Sequence, residues 1–292
     1  MVMQPGLIML IGAGETSSSG HKFCDWLLSR LPSPINIAIL ETPAGFELNS
    51  DVVAGRVADF FRRGFQNYQP EVSIIPARKR GTAYSPDDPA IVMPLLRAGA
   101  IFLGPGSPTY AARQLDNSLA WAYVIARHRL GAAIVLASAA AIAAGAYALP
   151  VYEIYEVGDE LHWDPGLDLF GPYGLSLVIV SHWDNTDGGD DLDTSRCYMG
   201  RARFERLLAL LPPDVTVVGI DEHTALVVDL GAETCRVMGR GGVTLLRGGQ
   251  EMSFANGQTF SVHKLGPFHP LSSPELGLPP HVWRAASLTE RA

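Results

Sequence analysis

The chain reads as an α/β protein: a doubly wound, mostly parallel sheet with an antiparallel C-terminal extension. Three observations carry that expectation. Short apolar runs alternate with helix-length amphipathic segments through the first 150 residues, the pattern of right-handed strand–helix–strand crossovers. Glycine-rich turns follow several of the apolar runs, where such sheets place their ligand crevice. After Pro150 the texture changes to closely spaced strand-like runs separated by Gly-rich turns, the mark of hairpins.

Taken in order, Leu7 to Ile11 is a short apolar strand that ends in Gly12-Ala13-Gly14-Glu15. His21 to Leu31 has helical spacing, with Phe23, Leu27, Leu28 and Leu31 on one face. Ile35 to Leu40 is the second strand, and Asp51 to Phe65 the second helix, capped by Asn49 or Ser50. Val72 to Ile75 is a third strand. Asp87-Asp88-Pro89 opens a helix to about Ala98, with proline in the first turn, where its missing N–H costs nothing. Ala100 to Leu103 is the next strand and Thr109 to Arg129 the next helix. The run Ala132 to Ala137 is a buried strand that passes through Ser138 into an Ala-rich helix. Beyond Pro150, Val151 to Val157 and Leu175 to Ser181 read as strands, and Arg201 to Leu211 as an amphipathic helix. Val215 to Ile220, Ala225 to Leu230, Thr234 to Met238 and Val243 to Arg247 are expected to extend the sheet. One domain over residues 1–265 is expected, followed by a tail, 266–292, whose five prolines and weak periodicity predict loose attachment or disorder.

Composition narrows the function classes. A chain of 292 residues that is 47% apolar can bury a large core. Its net charge of -8 argues against nucleic-acid binding, which needs clustered Lys and Arg; Arg78-Lys79-Arg80 is too short a cluster. Cys24, Cys197 and Cys235 are too few and too dispersed for a disulfide framework or a zinc site. No signal peptide is evident and no apolar run is long enough to span a bilayer, so a cytoplasmic protein without membrane association is expected. No cofactor or metal is expected. A homodimer is the default assembly.

Ser138 is the first chemical candidate. It stands where a strand turns into a helix among Ala137, Ala139, Ala140 and Ala141, small residues that allow a tight joint. The N–H groups of the following helix would face negative charge developing at the serine. Gly104-Pro105-Gly106-Ser107-Pro108 ends another strand, and Gly106 or Ser107 can offer an N–H beside that of Ala139. The base expected for the serine is His182, at the end of the Leu175 to Ser181 strand; His128, His162, His223, His263, His269 and His281 are less well placed. Glu153 and Glu156 are near in sequence, but three apart on a strand they point to opposite faces, so at most one can orient His182. Gly12-Ala13-Gly14 lacks the third glycine of a dinucleotide fingerprint, Ser17 standing there, and is expected only to line a shared crevice.

These motifs together resemble the cyanophycinase and dipeptidase E group of serine peptidases, within the class I glutamine amidotransferase-like superfamily. Gly104-Pro105-Gly106-Ser107 is similar to the group's Gly-Gly-Gly-Asn loop, and Leu136-Ala137-Ser138-Ala139-Ala140-Ala141 to its Gly-x-Ser-Ala-Gly-Ala nucleophile motif. His182-Trp183 is similar to its His-Phe segment. Met199 to Leu207 is similar to its Gly-Arg-rich helix start, and Val218-Gly219-Ile220-Asp221-Glu222-His223-Thr224-Ala225 to its Gly-Ile-Asp-Glu-x-Thr-Ala signature. The resemblance spans about Leu7 to Arg247.

It implies a flavodoxin-like sheet and a Ser-His-Glu hydrolase of small peptide-like substrates, cutting peptide or isopeptide bonds. Ser138 would be the nucleophile and His182 the base, with the Gly106 and Ala139 amides holding the oxyanion. Glu153 suits the acid position of the dipeptidase-like members, and Glu156 suits the cyanophycinases about as well. Read from the residues themselves, Ser107, Asp184, Asp221 and Glu222 are candidates for contact with the substrate, and the acidic run Asp184 to Asp193 is either a solvated loop or, where it overhangs the crevice, an attractor of a cationic group. The departures are Leu136 and Ala140 where the group has glycines, and Pro105 in the oxyanion loop. A non-catalytic or partner-dependent binding protein on the same scaffold is the alternative.

Overall fold

The computed structural model describes residues 4–289. In chain order the first half holds β1 (Ile8–Ile11), α1 (Ser18–Leu28), β2 (Asn36–Leu40), α2 (Ser50–Gly64), β3 (Glu71–Ile75) and α3 (Pro89–Val92). β4 (Ala100–Leu103), α4 (Pro108–Leu115), α5 (Leu119–Arg129), β5 (Ala133–Ala137) and α6 (Ala139–Ala143) follow. The five strands pair in parallel in the order β1-β5-β4-β2-β3. The two-residue period of a strand sends alternate side chains to opposite faces. Ile8 and Leu10 accordingly join one core, with Trp121 and Val124 of α5, while Met9 and Ile11 join another, under Phe23 and Leu27 of α1 and Val57 and Phe61 of α2. The sheet is thus covered on both faces, as expected for a doubly wound fold.

The second half holds β6 (Tyr147–Ala148), β7 (Asp164–Pro165), β8 (Leu177–Val180), α7 (Gly200–Leu208), β9 (Thr216–Ile220) and β10 (Thr224–Asp229). It continues through β11 (Thr234–Gly239), β12 (Gly242–Arg247), β13 (Gln250–Ala255), β14 (Thr259–Ser261) and α8 (Pro280–Thr289). β10, β11 and β14 extend the main sheet antiparallel beyond β1. β8, β9, β12 and β13 instead make a second four-stranded sheet, which corrects the expectation of one extended sheet. β9 and β10 are separated only by Asp221 to His223, and His223 at φ 53° turns the chain out of one sheet into the other.

Three further expectations change. The helix expected over 109–129 is two helices: Asn117 takes a left-handed φ of 53°, and the Ser118 hydroxyl caps α5 by accepting from Trp121 N. Val151 to Val157 is not a strand but a helical turn ending in a π segment, Glu153–Val157. Its apolar residues Val151 and Ile154 pack on the face of the second sheet that α7 also covers, a three-residue spacing that suits a helix better than a strand. The Pro-rich tail is packed rather than loose: Val282 and Ala286 of α8 are buried in the core shared with α5, at 1% and 0% exposure. Residues 290–292 lie outside the described part. Among the described residues no helix is long and apolar enough to cross a membrane.

Candidate active site

Four loops at the carboxyl ends of β4, β5, β8 and β9 meet, and each brings one element of a site. At the end of β5 the ladder to β1 continues through Ser138 N, which donates to Ile11 O at 2.9 Å, and the chain then turns at once into α6. Ser138 sits at φ 51°, ψ −111°, a conformation non-glycine residues rarely hold and one that costs of order 1–3 kcal/mol. Surrounding alanines let the helix start this close to the strand. Leu136, standing where the resembling group has glycine, does not crowd the turn: it is 1% exposed and packs into the main core beside Ile134. Ala140 is likewise buried in that core.

His182 follows β8 and is also at positive φ, 52°. Its Nε2 lies 2.9 Å from Ser138 Oγ and its Nδ1 2.7 Å from Glu222 Oε1. A carboxylate only accepts, so Nδ1 donates to Glu222 and Nε2 is left to accept the serine proton. Glu222 leaves the end of β9. The hydrogen bond from His182, together with one from Asn185 Nδ2 at 2.9 Å, outweighs partial burial and pushes its carboxyl down to about 2 from an ordinary 4.5. Asp184 Oδ1 accepts the Glu222 N–H at 2.7 Å and fixes the turn from behind.

The carboxylate that meets His182 is therefore Glu222, and neither Glu153 nor Glu156, the two expected there, reaches it. The helical turn at 151–157 carries Glu153 toward the start of α4, where its Oε1 accepts from Thr109 Oγ1 at 2.5 Å. Glu156 is instead at the rim of the cavity in front of Ser138. Three of the four expected substrate contacts also have other employment. The Ser107 hydroxyl is buried and caps α4, accepting from Tyr110 N at 3.2 Å. Asp184 holds the Glu222 turn, as above. Asp221 Oδ2 accepts from Gly242 N at 2.7 Å, tying β9 to β12, while burial raises its carboxyl above the ordinary value. Glu222, the fourth, faces His182.

Two backbone N–H groups are left open beside Ser138. The Ser107 N–H is spent on Pro43 O at 3.0 Å, which leaves Gly106. Among the described residues neither the Gly106 nor the Ala139 N–H has a partner, and both residues line the Ser138 cavity. Gly106 holds φ 147°, and a Cβ there would collide with the Pro43 carbonyl, so only glycine lets the two loops approach. Pro105 does not occupy a donor position.

Asn185, Asp187 and Tyr198 were not singled out from sequence. Asn185, 2% exposed, bridges Glu222 and Asp187, and the Tyr198 hydroxyl donates to Asp187 at 2.8 Å. The acidic run after His182 is thus partly folded into the support of Glu222. The Gly12-Ala13-Gly14 turn backs the same strand end, with His223 N donating to Ala13 O at 3.2 Å, and does not wall the cavity. Cys197 does line the cavity, but burial and then the charge of Glu222 push its thiol up to about 12. Among the described residues no cluster of His, Cys, Asp and Glu could hold a metal ion.

No family model matches the chain, and no curated protein matches it. Among solved structures the fold is similar to that of a peptidase from an acI-B1 Actinobacterium, with TM-score 0.70 and 21% identity over 89% of this chain and 98% of that one. A structure described as a putative peptidase E protein from Listeria monocytogenes EGD-e aligns with TM-score 0.49 and 12% identity over 86% of this chain and 98% of that one. The first likeness shows the fold: an α/β protein with a mostly parallel central sheet and flanking helices.

Proposed function

We propose that the protein is a serine hydrolase that cleaves peptide-like amides, with Ser138 as nucleophile, His182 as general base and acid, and Glu222 as the orienting carboxylate. The observation that carries the reading is the unbroken relay of 2.9 Å and 2.7 Å from Ser138 through His182 to Glu222, at a serine held in a strained turn. Such strain, a nucleophile elbow in this reading, serves to lift the hydroxyl clear of the strand and into the cavity.

In this reading Ser138 Oγ attacks the substrate carbonyl while its proton passes to His182 Nε2. The oxyanion takes the free N–H groups of Ala139 and Gly106. His182 then gives its proton to the departing amine as the C–N bond breaks, leaving an acyl group on Ser138. Water, deprotonated by His182, releases the acid and restores the serine. Glu222 stays ionised throughout, holds the tautomer and stabilises the imidazolium. The fold neighbour from the Actinobacterium is described as a peptidase, which supports a peptide-like substrate, and membership of the cyanophycinase and dipeptidase E group is the finer form of the proposal.

The test is covalent labelling with a fluorophosphonate. The expected result is one adduct on Ser138, abolished by Ser138→Ala and strongly slowed by His182→Ala. A folded wild-type protein that takes no label between pH 6 and 9 would return the reading to a non-catalytic binding protein.

A further inference from the structure

The cavity in front of Ser138 is small, about 240 Å³, below the usual range for drug-sized ligands and suited to a single aminoacyl group. Its wall is apolar and aromatic, built by Ile142, Val151, Tyr152, Tyr155 and Tyr198, and among the described residues its one carboxylate beyond the relay is Glu156. Among the described residues neither lysine nor arginine lines it. Arg203, whose guanidinium lies 5.7 Å from the Tyr155 ring, is tied to the carbonyl oxygens of Met199 and Tyr198. Burial first, and then the charges of Glu47, Cys197, Glu156 and Glu153, hold the Tyr152 phenol above its ordinary value.

Each part of that wall selects something. Tyrosine rings receive an apolar or aromatic side chain and attract a cation over their faces. A carboxylate on the rim attracts an ammonium and repels an acid. With no cation to receive it, an acidic side chain would lose its hydration without a partner. We propose that this cavity binds the residue bearing the scissile carbonyl as an apolar or aromatic aminoacyl group whose free α-ammonium is held by Glu156, so that acidic and N-blocked residues are excluded. The proposal rests on the hydrolase reading for turnover, but its binding claim stands apart from it.

Two measurements on the full chain separate them. In the first, Ser138→Ala is titrated calorimetrically with phenylalaninamide, leucinamide, aspartic acid α-amide, N-acetylphenylalaninamide and N-acetyllysinamide. The free Phe and Leu amides should bind at least about ten-fold more tightly than the other three. In Ser138→Ala/Glu156→Gln the preference for the free over the acetylated Phe amide should fall to within about three-fold. Tightest binding of the Asp amide overturns the proposal. So does equal binding of blocked and free Phe amides, or tightest binding of N-acetyllysinamide, which would move the ammonium to the side chain. In the second, the wild type is given the corresponding p-nitroanilides and, in parallel, the fluorophosphonate. Labelling with the Asp substrate turned over best sinks the specificity and keeps the hydrolase; selective binding without labelling or turnover sinks the hydrolase and keeps the cavity's selectivity.

Discussion

Glu222 Oε1 receives the Nδ1–H of His182 at 2.7 Å across a separation of 40 residues, from the turn that carries the chain out of one sheet and into the other. The contact exists because β8 and β9 are parallel neighbours, so their carboxyl ends, and the residues that follow them, lie side by side.

Replacing Glu222 by Gln keeps the shape but permits the amide to donate, which stabilises the wrong imidazole tautomer. A fall in kcat of about 10³–10⁴ is expected, with Glu153→Gln within about three-fold of wild type. Steady-state kinetics on an activated amide checks both; equal losses in the two variants would remove Glu222 from its role.

The same carboxylate links stability to pH. Its folded value is depressed to about 2 from 4.5, so its contribution is fully present above about 4.5 and is lost as pH falls toward 2. The melting temperature of the wild type should exceed that of Glu222→Gln at pH 6, and the gap should narrow steadily between pH 4.5 and pH 2.5. A gap that widens on acidification would contradict the sign.

Gly219 lies under the indole of Trp183, and a Cβ there would run into the ring. Gly219→Ala has to displace Trp183, the neighbour of His182 in sequence. The expected outcome in urea denaturation is a loss of about 1–3 kcal/mol, with reduced fluorophosphonate labelling of the still-folded fraction. Unchanged labelling would mean that the indole does not position the histidine.

All three cysteines are buried, and burial pushes each thiol up to about 12. Thiol reagents should therefore leave the native protein untouched and titrate three groups only after denaturation. Rapid native modification of Cys197 that blocks activity would reopen cysteine chemistry at the cavity.

The C-terminal segment packs as part of the same fold, and one domain running through α8 is our proposal. Val282→Ala should cost about 2 kcal/mol in urea denaturation, and truncation before Gly266 should lower the melting temperature or cause aggregation by exposing the core beside α5. A truncated chain as stable as the full one would restore the picture of a loose tail.

What sequence alone determined is local. The two-residue alternation of Ile8 to Ile11, the 3.6-residue spacing of Phe23, Leu27 and Leu28, and the small-residue joint at Ser138 each express covalent geometry and side-chain volume within a few residues. Those are enough to single out Ser138, His182 and the loops of Gly106 and Ala139 as candidates, because each sits at the end of a strand that its own run of residues specifies. Only tertiary structure decided which acid meets the base. Glu153 and Glu156 are near His182 in the chain, yet the π-helical turn directs Glu153 to Thr109 and Glu156 to the cavity rim, while strand pairing delivers Glu222. Nor does any local pattern of the Pro-rich tail reveal that Val282 and Ala286 would find a buried surface, or that β8, β9, β12 and β13 would leave the main sheet. Such outcomes depend on which distant surfaces remain uncovered once the rest has folded, a quantity that no window of neighbouring residues contains.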